Sequence, residues 1–416
     1  MDAQGLQPAW TRAPRLLACA ALLCLANAAV WAPQIAAVLH GLFSGDVLAG
    51  FANRDFANYW LSGRLALSGD LSPLYRQETH QAALEAAFGL GALETRNWSY
   101  PPHFVLFTWP LGLMPYAPAY ALFMLASGGW FLMAMRSALR AFGGDAGSDA
   151  FGLVVLLLAP FICLQVLAGQ NGFFFGAAML QALAWRGSRP VAAAAMIALL
   201  TMKPQLGLLI PLLLLAERRW AVIGWTIAMS AALTGVSAIV FGPDAWRAFF
   251  TETLPYQRFV AAHWDGMFLY MMPTWFASLR AAGVGHETAL FAHGVVVLPL
   301  VAACLAAMWT AKDEAVRSRL LLAGTFVATP YAFNYDLGAL LALAAIWIAA
   351  QKTDSWTRAI GGSLILALPL WTPLVGRPDV MLVLPALAMT GLLAVWAAPV
   401  LAPHLRPLAI RAGFVR

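Results

Sequence analysis

The sequence predicts an all-α polytopic membrane protein, and three observations predict it. Hydrophobic residues make up 62% of the 416 residues and charged residues only 11%, whereas a soluble domain is typically about 45–50% apolar. The mean hydropathy is +0.74. Several apolar runs reach the roughly 20 residues that a helix needs to cross the hydrocarbon layer. Because a helix satisfies its own backbone hydrogen bonds there, helices are the expected elements.

The charged residues are sparse and positioned like topology signals. The chain has 25 Lys and Arg against 19 Asp and Glu, a net charge of +6. Most basic residues fall in short connections between apolar runs, where they set the orientation of the helices. We therefore expect no nucleic-acid partner. The four cysteines lie in apolar segments and predict neither a disulfide framework nor a zinc site.

The basic residues give each predicted span a direction, because cytoplasmic connections are enriched in them. Arg12 and Arg15 place the N-terminus in the cytoplasm, and the first span, Leu16–Leu39, is too long for a cleaved signal peptide. The loop over residues 41–102 is then external. The span Tyr116–Leu139 returns inward. The apolar run His103–Pro115 is too short to cross and predicts a re-entrant or interfacial segment.

Unusually short apolar pieces follow, and polar turns interrupt them. The pieces are Phe151–Ala168, Phe173–Trp185, Val191–Met202 and Leu206–Ala216. Alternating their directions places Gln170, Asn171 and Lys203 on the external side. Short helices that end inside the membrane line a cavity more often than they face lipid.

The second half of the chain contains another long span, a second long loop and a series of further helices. Trp220–Phe241 leads to a second external loop over residues 242–286, whose aromatic residues suit an interfacial helix. Within it, Met267–Leu279 is interpreted as a surface or re-entrant piece. Five further helices are expected at Leu290–Thr310, Leu320–Phe333, Leu337–Ala350, Ile360–Leu374 and Val380–Val400. The total is about 12 spans in one domain, residues 1–416, with both termini cytoplasmic.

Asp55 is the first candidate for chemistry, because it begins an amphipathic helix beside the membrane in an external loop. Phe56, Tyr59 and Trp60 recur at helical steps after it. Asp is also a favoured N-cap residue, which is the structural alternative. The neighbouring Arg54 and the proximity of the membrane favour a functional role for Asp55 over a purely structural one. A carboxylate close to an acceptor hydroxyl can take its proton as a new bond forms.

A set of short motifs occurs in order along the chain. They are Asp55 early in the first external loop, DLSPLY (Asp70–Tyr75), YPP (Tyr100–Pro102), GQNG (Gly169–Gly172), KPQ (Lys203–Gln205), RRW (Arg218–Trp220) and YAFNYDL (Tyr331–Leu337). In the order and spacing of these motifs, over nearly its whole length, the chain resembles glycosyltransferase family 87, membrane enzymes of the GT-C superfamily. The resemblance implies inverting transfer of a sugar, usually mannose, from a polyprenyl-phosphate carrier to an extracytoplasmic acceptor hydroxyl, with Asp55 as the base.

In such a transfer the polyprenyl phosphate is the leaving group. Negative charge grows on it as the bond to the sugar breaks, and a fixed cation would stabilise that charge. Lys203 is the first candidate, with snorkelling to the headgroups as the alternative. Arg54, Arg258 and His263 are further candidates for the donor phosphate, and each could instead contact lipid phosphates or cap a surface helix.

Four more residues are candidates for sugar or acceptor contacts. Gln170 and Asn171 carry amides, which hydrogen-bond sugar hydroxyls well, but they could also satisfy a tight turn. Tyr100 and Asp336 lie at external junctions, and for Tyr100 a structural turn is the favoured alternative. No metal motif and no nucleotide-binding loop stands out, so we expect no cofactor. The expected partners are a polyprenyl-phosphate-linked sugar, a lipid or glycan acceptor and membrane lipids, in a bacterial inner membrane.

Two other classes of function stay open from the sequence. Broken helices also occur in transporters, so a flippase for a lipid or a lipid-linked sugar is the main alternative. Paired halves with matching interruptions are not evident, and the charges gather at one surface. The third class is a noncatalytic subunit of a cell-envelope complex.

Overall fold

The computed structural model describes residues 13–44, 55–89, 91, 95–144, 148–374 and 383–411. These residues form 22 α-helices, α1 to α22 in chain order, joined by short 3₁₀ turns, one π-helical turn and loops. The helices are α1 Pro14–Ser44, α2 Phe56–Ser68, α3 Ser72–Tyr75, α4 Gln77–Phe88, α5 Pro102–Thr108, α6 Tyr116–Phe142, α7 Phe151–Leu157, α8 Ala159–Ala168, α9 Gly172–Trp185, α10 Pro190–Leu199, α11 Ile210–Ala216, α12 Trp220–Phe241, α13 Pro243–Ala248, α14 Leu254–His263, α15 Met267–Tyr270, α16 Trp275–Ala281, α17 His286–Thr310, α18 Glu314–Ala328, α19 Gly338–Ala349, α20 Trp356–Leu366, α21 Leu368–Leu374 and α22 Val383–Arg411.

The all-helical, membrane-embedded architecture is confirmed, but the count of about 12 spans is not. Five described helices are long and apolar enough to cross a membrane: α1, α6, α12, α17 and α22. The pair α7 and α8 passes the same test together, although a 58° bend separates the two helices. The other apolar helices of the described chain are shorter, which is why length alone gives five or six spans.

The short helices are short because they lie inside the protein. Helix α9 has 14 residues, about 21 Å at 1.5 Å per residue, below the roughly 30 Å of a hydrocarbon core. It is buried on nearly all sides and packs against α6, α10 and α19. Helix α19 is equally buried. The polar ends of these helices therefore meet other protein groups instead of lipid.

Several predicted boundaries agree with the structure. Helix α12 has the predicted limits, and α6 extends three residues beyond the predicted span. The predicted re-entrant run His103–Pro115 consists of α5 and a 3₁₀ turn, Trp109–Leu113. The predicted surface piece Met267–Leu279 consists of α15 and part of α16. Arg54 lies outside the described residues.

The two loops predicted to be external pack against each other at one end of the helices. Thr253 Oγ1 donates a hydrogen bond to the Tyr75 carbonyl over 3.1 Å, and Gln257 Nε2 donates to the Trp98 carbonyl over 3.4 Å. The sequence grouped these loops on one side, and the contacts bring them together.

Candidate active site

Asp55 immediately precedes α2 and occupies its N-cap position. Its side chain makes no capping hydrogen bond to the helix, so the structure does not support the N-cap alternative. The backbone N–H of Asp55 donates to the Ala168 carbonyl at the end of α8, over 3.1 Å. The carboxylate accepts hydrogen bonds from Arg96 Nη1 at one oxygen and from Gln170 Nε2 at the other. This carboxylate is therefore held by residues distant in sequence.

Helix α2 is a rigid support for Asp55, because its buried face packs closely on the α5 region. A side chain at Gly63 would place its Cβ 2.6 Å from the Thr108 carbonyl oxygen and 2.7 Å from the Gly112 nitrogen. Ser62 and Thr108 share a hydrogen bond of 2.7 Å between their hydroxyls. Because the two backbones are in contact here, the helix cannot move closer without a steric clash.

The turn GQNG positions Gln170 beside Asp55. Gly169 has a φ of 65°, a left-handed conformation that glycine adopts without strain, and it ends α8. At Gly172 a Cβ would overlap the Tyr335 carbonyl oxygen, so this position has room for glycine alone. Gln165 bridges the same contact: it accepts from the Gly172 N–H at 2.9 Å and donates to the Tyr335 carbonyl at 2.6 Å.

A chain of buried hydrogen bonds leads from Asp55 to Lys203, and we call it the Asp55–Lys203 chain. Its members in order are Asp55, Gln170, Tyr59, Tyr100, Asn171 and Lys203. The successive distances after Gln170 are 3.2 Å for Tyr59 to Gln170, 3.2 Å for Tyr59 to Tyr100, 2.7 Å for Asn171 to Tyr100 and 3.4 Å for Lys203 to Asn171. Burial raises the pKa of Tyr59 and Tyr100, so both phenols stay protonated at neutral pH.

The two charged ends fix the direction of every hydrogen bond in this chain. The Asp55 carboxylate accepts, so Gln170 turns its NH₂ toward Asp55 and its oxygen toward Tyr59. Tyr59 therefore donates to Gln170, and Tyr100 donates to Tyr59. At the other end the Lys203 ammonium donates to the Asn171 oxygen. All donors point from the cation toward the Asp55 carboxylate, an arrangement that stabilises negative charge there.

Lys203 forms a buried ion pair with Asp336. The Lys203 Nζ lies 2.6 Å from the Asp336 carboxylate, and the side chains are 7% and 1% exposed. The aromatic ring of Tyr335 lies 5.0 Å from the ammonium, within cation–π range. The charge of Lys203 is thus balanced by Asp336 inside the protein, and the side chain does not snorkel to a surface.

Two glutamine side chains of α4 hydrogen-bond to the backbone of Arg96, and we call them the α4 clamp. Gln77 Nε2 donates to the Arg96 carbonyl over 2.6 Å, and the Arg96 N–H donates to Gln81 Oε1 over 3.2 Å. The two glutamines are four residues apart and so lie on one face of the helix. This clamp directs the Arg96 side chain, which is 15% exposed, to Asp55, which is 30% exposed.

Asp55 and Arg96 both line a cavity of about 580 Å³. Polar groups of Asn58, Asn97 and Asp265 join them on its wall. Its apolar lining includes Trp31 from α1, Leu167 from α8, and Trp264, Phe268 and Met271 from the second loop. The cavity therefore combines a carboxylate, a guanidinium and an apolar wall that includes a membrane-spanning helix.

The structure gathers most of the predicted site residues but places them in different positions. Gln170 contacts Asp55 directly, and Asn171, Tyr100 and Lys203 follow it in the buried Asp55–Lys203 chain. Asp336 pairs with Lys203 at the far end of that chain. None of these five is part of the cavity lining in the described structure. Their contacts with a sugar, an acceptor or a donor phosphate stay predictions.

Two other predicted residues lie away from the cavity. Arg258 and His263 are exposed on α14 and do not line the cavity that the described residues form. The His263 ring stacks on Phe259 with its Nδ1 2.9 Å from the Phe259 carbonyl oxygen. Their role toward a donor phosphate also stays a prediction.

Sequence reasoning missed Arg96 and Tyr59. Tyr59 lies four residues after Asp55, one helical turn away, and that spacing could have shown that both sit on one face of α2. Arg96 lies in an irregular segment with no periodicity, so its position depends on the α4 clamp. Among the described residues, no group of three or more His, Cys, Asp or Glu side chains could hold a metal ion.

The arrangement has the chemistry for proton abstraction beside an anion site. The partly exposed Asp55 carboxylate can accept a proton from a hydroxyl, since each of its oxygens has a second lone pair. Arg96 can pair with a phosphate in a bidentate manner. Comparison with curated proteins and with solved structures found no match. The family model of glycosyltransferase family 87 matches residues 98–332, more than half of the chain. The protein therefore belongs to glycosyltransferase family 87.

Proposed function

We propose that this glycosyltransferase moves a sugar, with mannose as the first candidate, from a polyprenyl-phosphate donor to an acceptor hydroxyl on the extracytoplasmic side of a bacterial inner membrane. Asp55 acts as the base and Arg96 as the cation for the donor phosphate. One observation carries the proposal: an open carboxylate and a guanidinium contact each other at the wall of one cavity that apolar residues complete.

The proposed reaction needs one base. Asp55 takes the proton of the acceptor hydroxyl as its oxygen forms a bond to the anomeric carbon of the sugar. The bond between that carbon and the carrier phosphate breaks, and its electron pair goes to the phosphate oxygen. Attack from the face opposite the leaving group inverts the anomeric centre, whereas a retaining route would need a nucleophilic carboxylate about 5 Å from the acid.

Arg96 suits the donor phosphate better than Lys203, the first candidate from the sequence. Arg96 lines the cavity, and a guanidinium matches phosphate geometry. Lys203 is ion-paired and buried outside the lining. Our proposal for Lys203 is therefore indirect: it orients the Asp55–Lys203 chain that holds Gln170 against the base.

Donor binding also affects Asp55 in this proposal. Arg96 is paired with Asp55 in the structure. A phosphate that draws Arg96 away leaves one carboxylate oxygen for the acceptor hydroxyl. The base would then become available when the donor is in place, which favours ordered binding with the donor first.

The apolar wall supports a lipid-linked donor over a nucleotide sugar. Trp31 belongs to α1, a helix of membrane-spanning length, and lines the same cavity as Asp55. A prenyl chain can therefore lie along α1 with its phosphate near Arg96.

The test is a transfer assay with the purified protein in lipid nanodiscs and a panel of donors. The panel contains polyprenyl-phosphate mannose, polyprenyl-phosphate glucose and the matching nucleotide sugars, with a lipid extract as acceptor. We expect one polyprenyl-phosphate sugar to be consumed and the product to have the opposite anomeric configuration. Consumption of a nucleotide sugar alone, or retention of configuration, would contradict the proposal.

A further inference from the structure

Three consecutive backbone carbonyls next to Asp55 are each held by an amide side chain. They belong to residues 96–98, which we call the strap. Gln77 of α4 donates to the first carbonyl over 2.6 Å, Asn58 of α2 to the second over 3.3 Å, and Gln257 of α14 to the third over 3.4 Å. Because three helices hold it, the strap has a defined position although it forms no helix of its own.

The three side chains of the strap have different surroundings. Arg96 pairs with Asp55 and lines the cavity of about 580 Å³, which we call the Asp55 cavity. Trp98 is buried, and its Nε1 donates to the Tyr100 carbonyl over 2.7 Å. Asn97 lies between them, is partly exposed and also lines the Asp55 cavity. Its backbone carbonyl takes part in holding the strap, whereas its side-chain amide has no hydrogen-bond partner among the described residues.

A free amide in a fixed position favours a particular kind of ligand group. The NH₂ of the Asn97 side chain donates hydrogen bonds, its oxygen accepts them, and the group carries no charge. A hydroxyl also donates and accepts, whereas an ionised phosphate only accepts. Asn97 therefore suits a sugar hydroxyl better than it suits the phosphate of the donor.

Hydrogen bonds place Asn97 near the reacting groups. On one side its neighbour is Arg96, whose Cα is about 3.8 Å from its own and whose guanidinium contacts Asp55. On the other side Asn58, which donates to the Asn97 carbonyl, donates through its backbone N–H to the Asp55 carbonyl over 3.1 Å. Asn97 is therefore connected to Asp55 by two short routes.

This position selects one hydroxyl of the donor sugar. The sugar is bonded to the phosphate through its anomeric carbon, and carbon 2 is the neighbouring ring carbon that carries a hydroxyl. With the phosphate at Arg96 and the anomeric carbon facing Asp55, that hydroxyl lies nearest to both groups. It is also the hydroxyl whose configuration distinguishes mannose from glucose.

Two other polar side chains that line the cavity, Gln34 and Thr95, also have no hydrogen-bond partner in the described structure. Gln34 belongs to α1, one turn after Trp31, on the wall along which we place the prenyl chain. Thr95 precedes the strap, and none of its backbone groups is held in the described part of the chain. Asn97 is therefore the better positioned of the three toward the sugar.

We propose that Asn97 is a specificity-determining residue of the transfer. Its side-chain amide hydrogen-bonds the hydroxyl on carbon 2 of the donor sugar, and its position selects one configuration at that carbon. Asn97 has this role only if Arg96 binds the donor phosphate, so it rests on the donor-binding part of the proposed function. Asn97 takes no part in bond formation, so it affects the choice of sugar more than the rate of transfer.

The test is binding of citronellyl-phosphate mannose, a short-chain donor, to the protein in nanodiscs, measured by isothermal titration calorimetry beside its 2-deoxy and 6-deoxy forms. We expect the unmodified protein to bind the 2-deoxy form about fivefold more weakly than the parent donor, the effect of one lost hydrogen bond. In Asn97→Leu these two should bind equally, whereas the effect of the 6-deoxy change stays as in the unmodified protein. A 2-deoxy effect that is absent from the unmodified protein, or unchanged in Asn97→Leu, would overturn the assignment.

Two matched variants control for a general change of the cavity. Leucine is close to asparagine in size, and the strap is held through the Asn97 carbonyl and not through its side chain, so Asn97→Leu should keep the denaturation midpoint. Gln34→Leu and Thr95→Val remove the other two free polar groups and should keep the 2-deoxy effect. Loss of the effect in either of them, with Asn97→Leu like the unmodified protein, would assign the hydroxyl to the other residue and contradict the proposal.

The binding assay needs no turnover, so its outcome is independent of the transfer assay. Inverting transfer from the donor, with a 2-deoxy effect that Asn97→Leu leaves unchanged, would contradict the role of Asn97 and leave the proposed function standing. A 2-deoxy effect that depends on Asn97, in a protein that binds the donor without transferring the sugar, would support the sugar contact and contradict the proposed transfer.

Discussion

An arginine–carboxylate pair lies near each end of α9. One pair is fully buried and the other is partly exposed. After the C-terminal end of α9, Arg186 donates to both oxygens of Glu217, over 2.8 and 2.9 Å, and the side chains are 1% and 2% exposed. Beyond the N-terminal end, Arg96 pairs with Asp55, and these side chains are 15% and 30% exposed. The helix separates the two pairs by about 21 Å.

The difference between the pairs lies in what completes them. Glu217 has further cations nearby, with Arg219 at 3.5 Å and Arg317 at 3.7 Å, so protein groups alone satisfy it. Asp55 has two partners and faces a cavity. We call Arg186–Glu217 the sealed pair and Arg96–Asp55 the open pair. The sealed pair holds helices together, whereas a residue of the open pair can exchange its protein partner for a ligand.

The largest expected effect on stability comes from breaking the sealed pair. Glu217→Gln removes the carboxylate that pairs closely with the buried Arg186 and leaves only Glu314, at 4.0 Å, as a counter-charge among the described residues. Removal of one partner of a buried pair costs about 3–5 kcal/mol. We expect a much lower denaturation midpoint in detergent, with the donor KM of the remaining folded enzyme unchanged. Glu287→Gln, at a carboxylate that is 92% exposed, is the matched control and should leave the midpoint unchanged. Equal midpoints for the two variants would contradict the structural role.

Lowering the pH should destabilise the region around Asp55 before the region around Arg186. Burial lowers the pKa of His80, on α4, to about 4. The unfolded chain takes up this proton near pH 6.5, so between about pH 6.5 and 4 stability falls by about 1.4 kcal/mol per pH unit as the pH decreases. The ion-pair cluster around Glu217 has no histidine among its described members.

Hydrogen exchange measures this difference. At pH 5, after correction for intrinsic rates, peptides of α4 should lose protection relative to pH 7, while peptides at the end of α9 should not. His80→Met should remove the acid sensitivity of α4. Equal loss of protection at both ends would refute the difference between them.

A smaller effect is expected when the open pair loses its cation. Arg96→Gln removes a charge-assisted hydrogen bond, worth about 1.5–3 kcal/mol, so the donor KM should rise by about ten- to a hundredfold with little change in the denaturation midpoint. Arg258→Gln, at an exposed arginine on α14, is the control. A larger rise in KM for Arg258→Gln than for Arg96→Gln would reverse the assignment and support the original prediction from the sequence.

The smallest effect should come from the clamp on Arg96. Gln77→Ala removes one hydrogen bond of 2.6 Å to the Arg96 carbonyl, with a net value of about 1 kcal/mol. We expect the donor KM to rise about fivefold with kcat nearly unchanged, because the guanidinium is displaced but present. Gln351→Ala, at an exposed glutamine far along the chain, should change neither. A drop in kcat at constant KM would assign Gln77 another role.

Much of the fold follows from the sequence because the hydrocarbon layer imposes it. Length and hydropathy identify α1, α6, α12, α17 and α22, the long helices. Charge placement also predicts that Gln170, Asn171 and Lys203 lie on the side of the two long loops. In the structure Gln170 and Asn171 contact residues of the first loop, whereas the membrane side stays a prediction. Helices that lie inside the protein are not constrained in length by the membrane. Counting short apolar runs as spans therefore gives about 12, whereas length and composition identify five or six among the described helices.

The site was predicted less completely, because side-chain pairing depends on tertiary contacts. Asp55 and Gln170 were recognised as polar interruptions, but nothing in the local sequence shows that Gln170 contacts Asp55. Lys203 and Asp336 were assigned to different ligands, yet they pair with each other. The sequence cannot distinguish a buried ion pair from two ligand contacts, since both place ionisable residues at helix ends.

The most direct test of the account is the turnover of Asp55→Asn beside that of Asp265→Asn. Both acids line the same cavity, but Asp265 is 72% exposed and its nearest cation, Arg280, lies 3.7 Å away. If Asp55 is the base, Asp55→Asn lowers kcat by about 10²–10⁴-fold while donor binding and the denaturation midpoint stay close to those of the unmodified protein, and Asp265→Asn changes kcat by less than about threefold, as expected for a surface acid. Full turnover of Asp55→Asn, or loss of turnover in Asp265→Asn alone, would contradict the account.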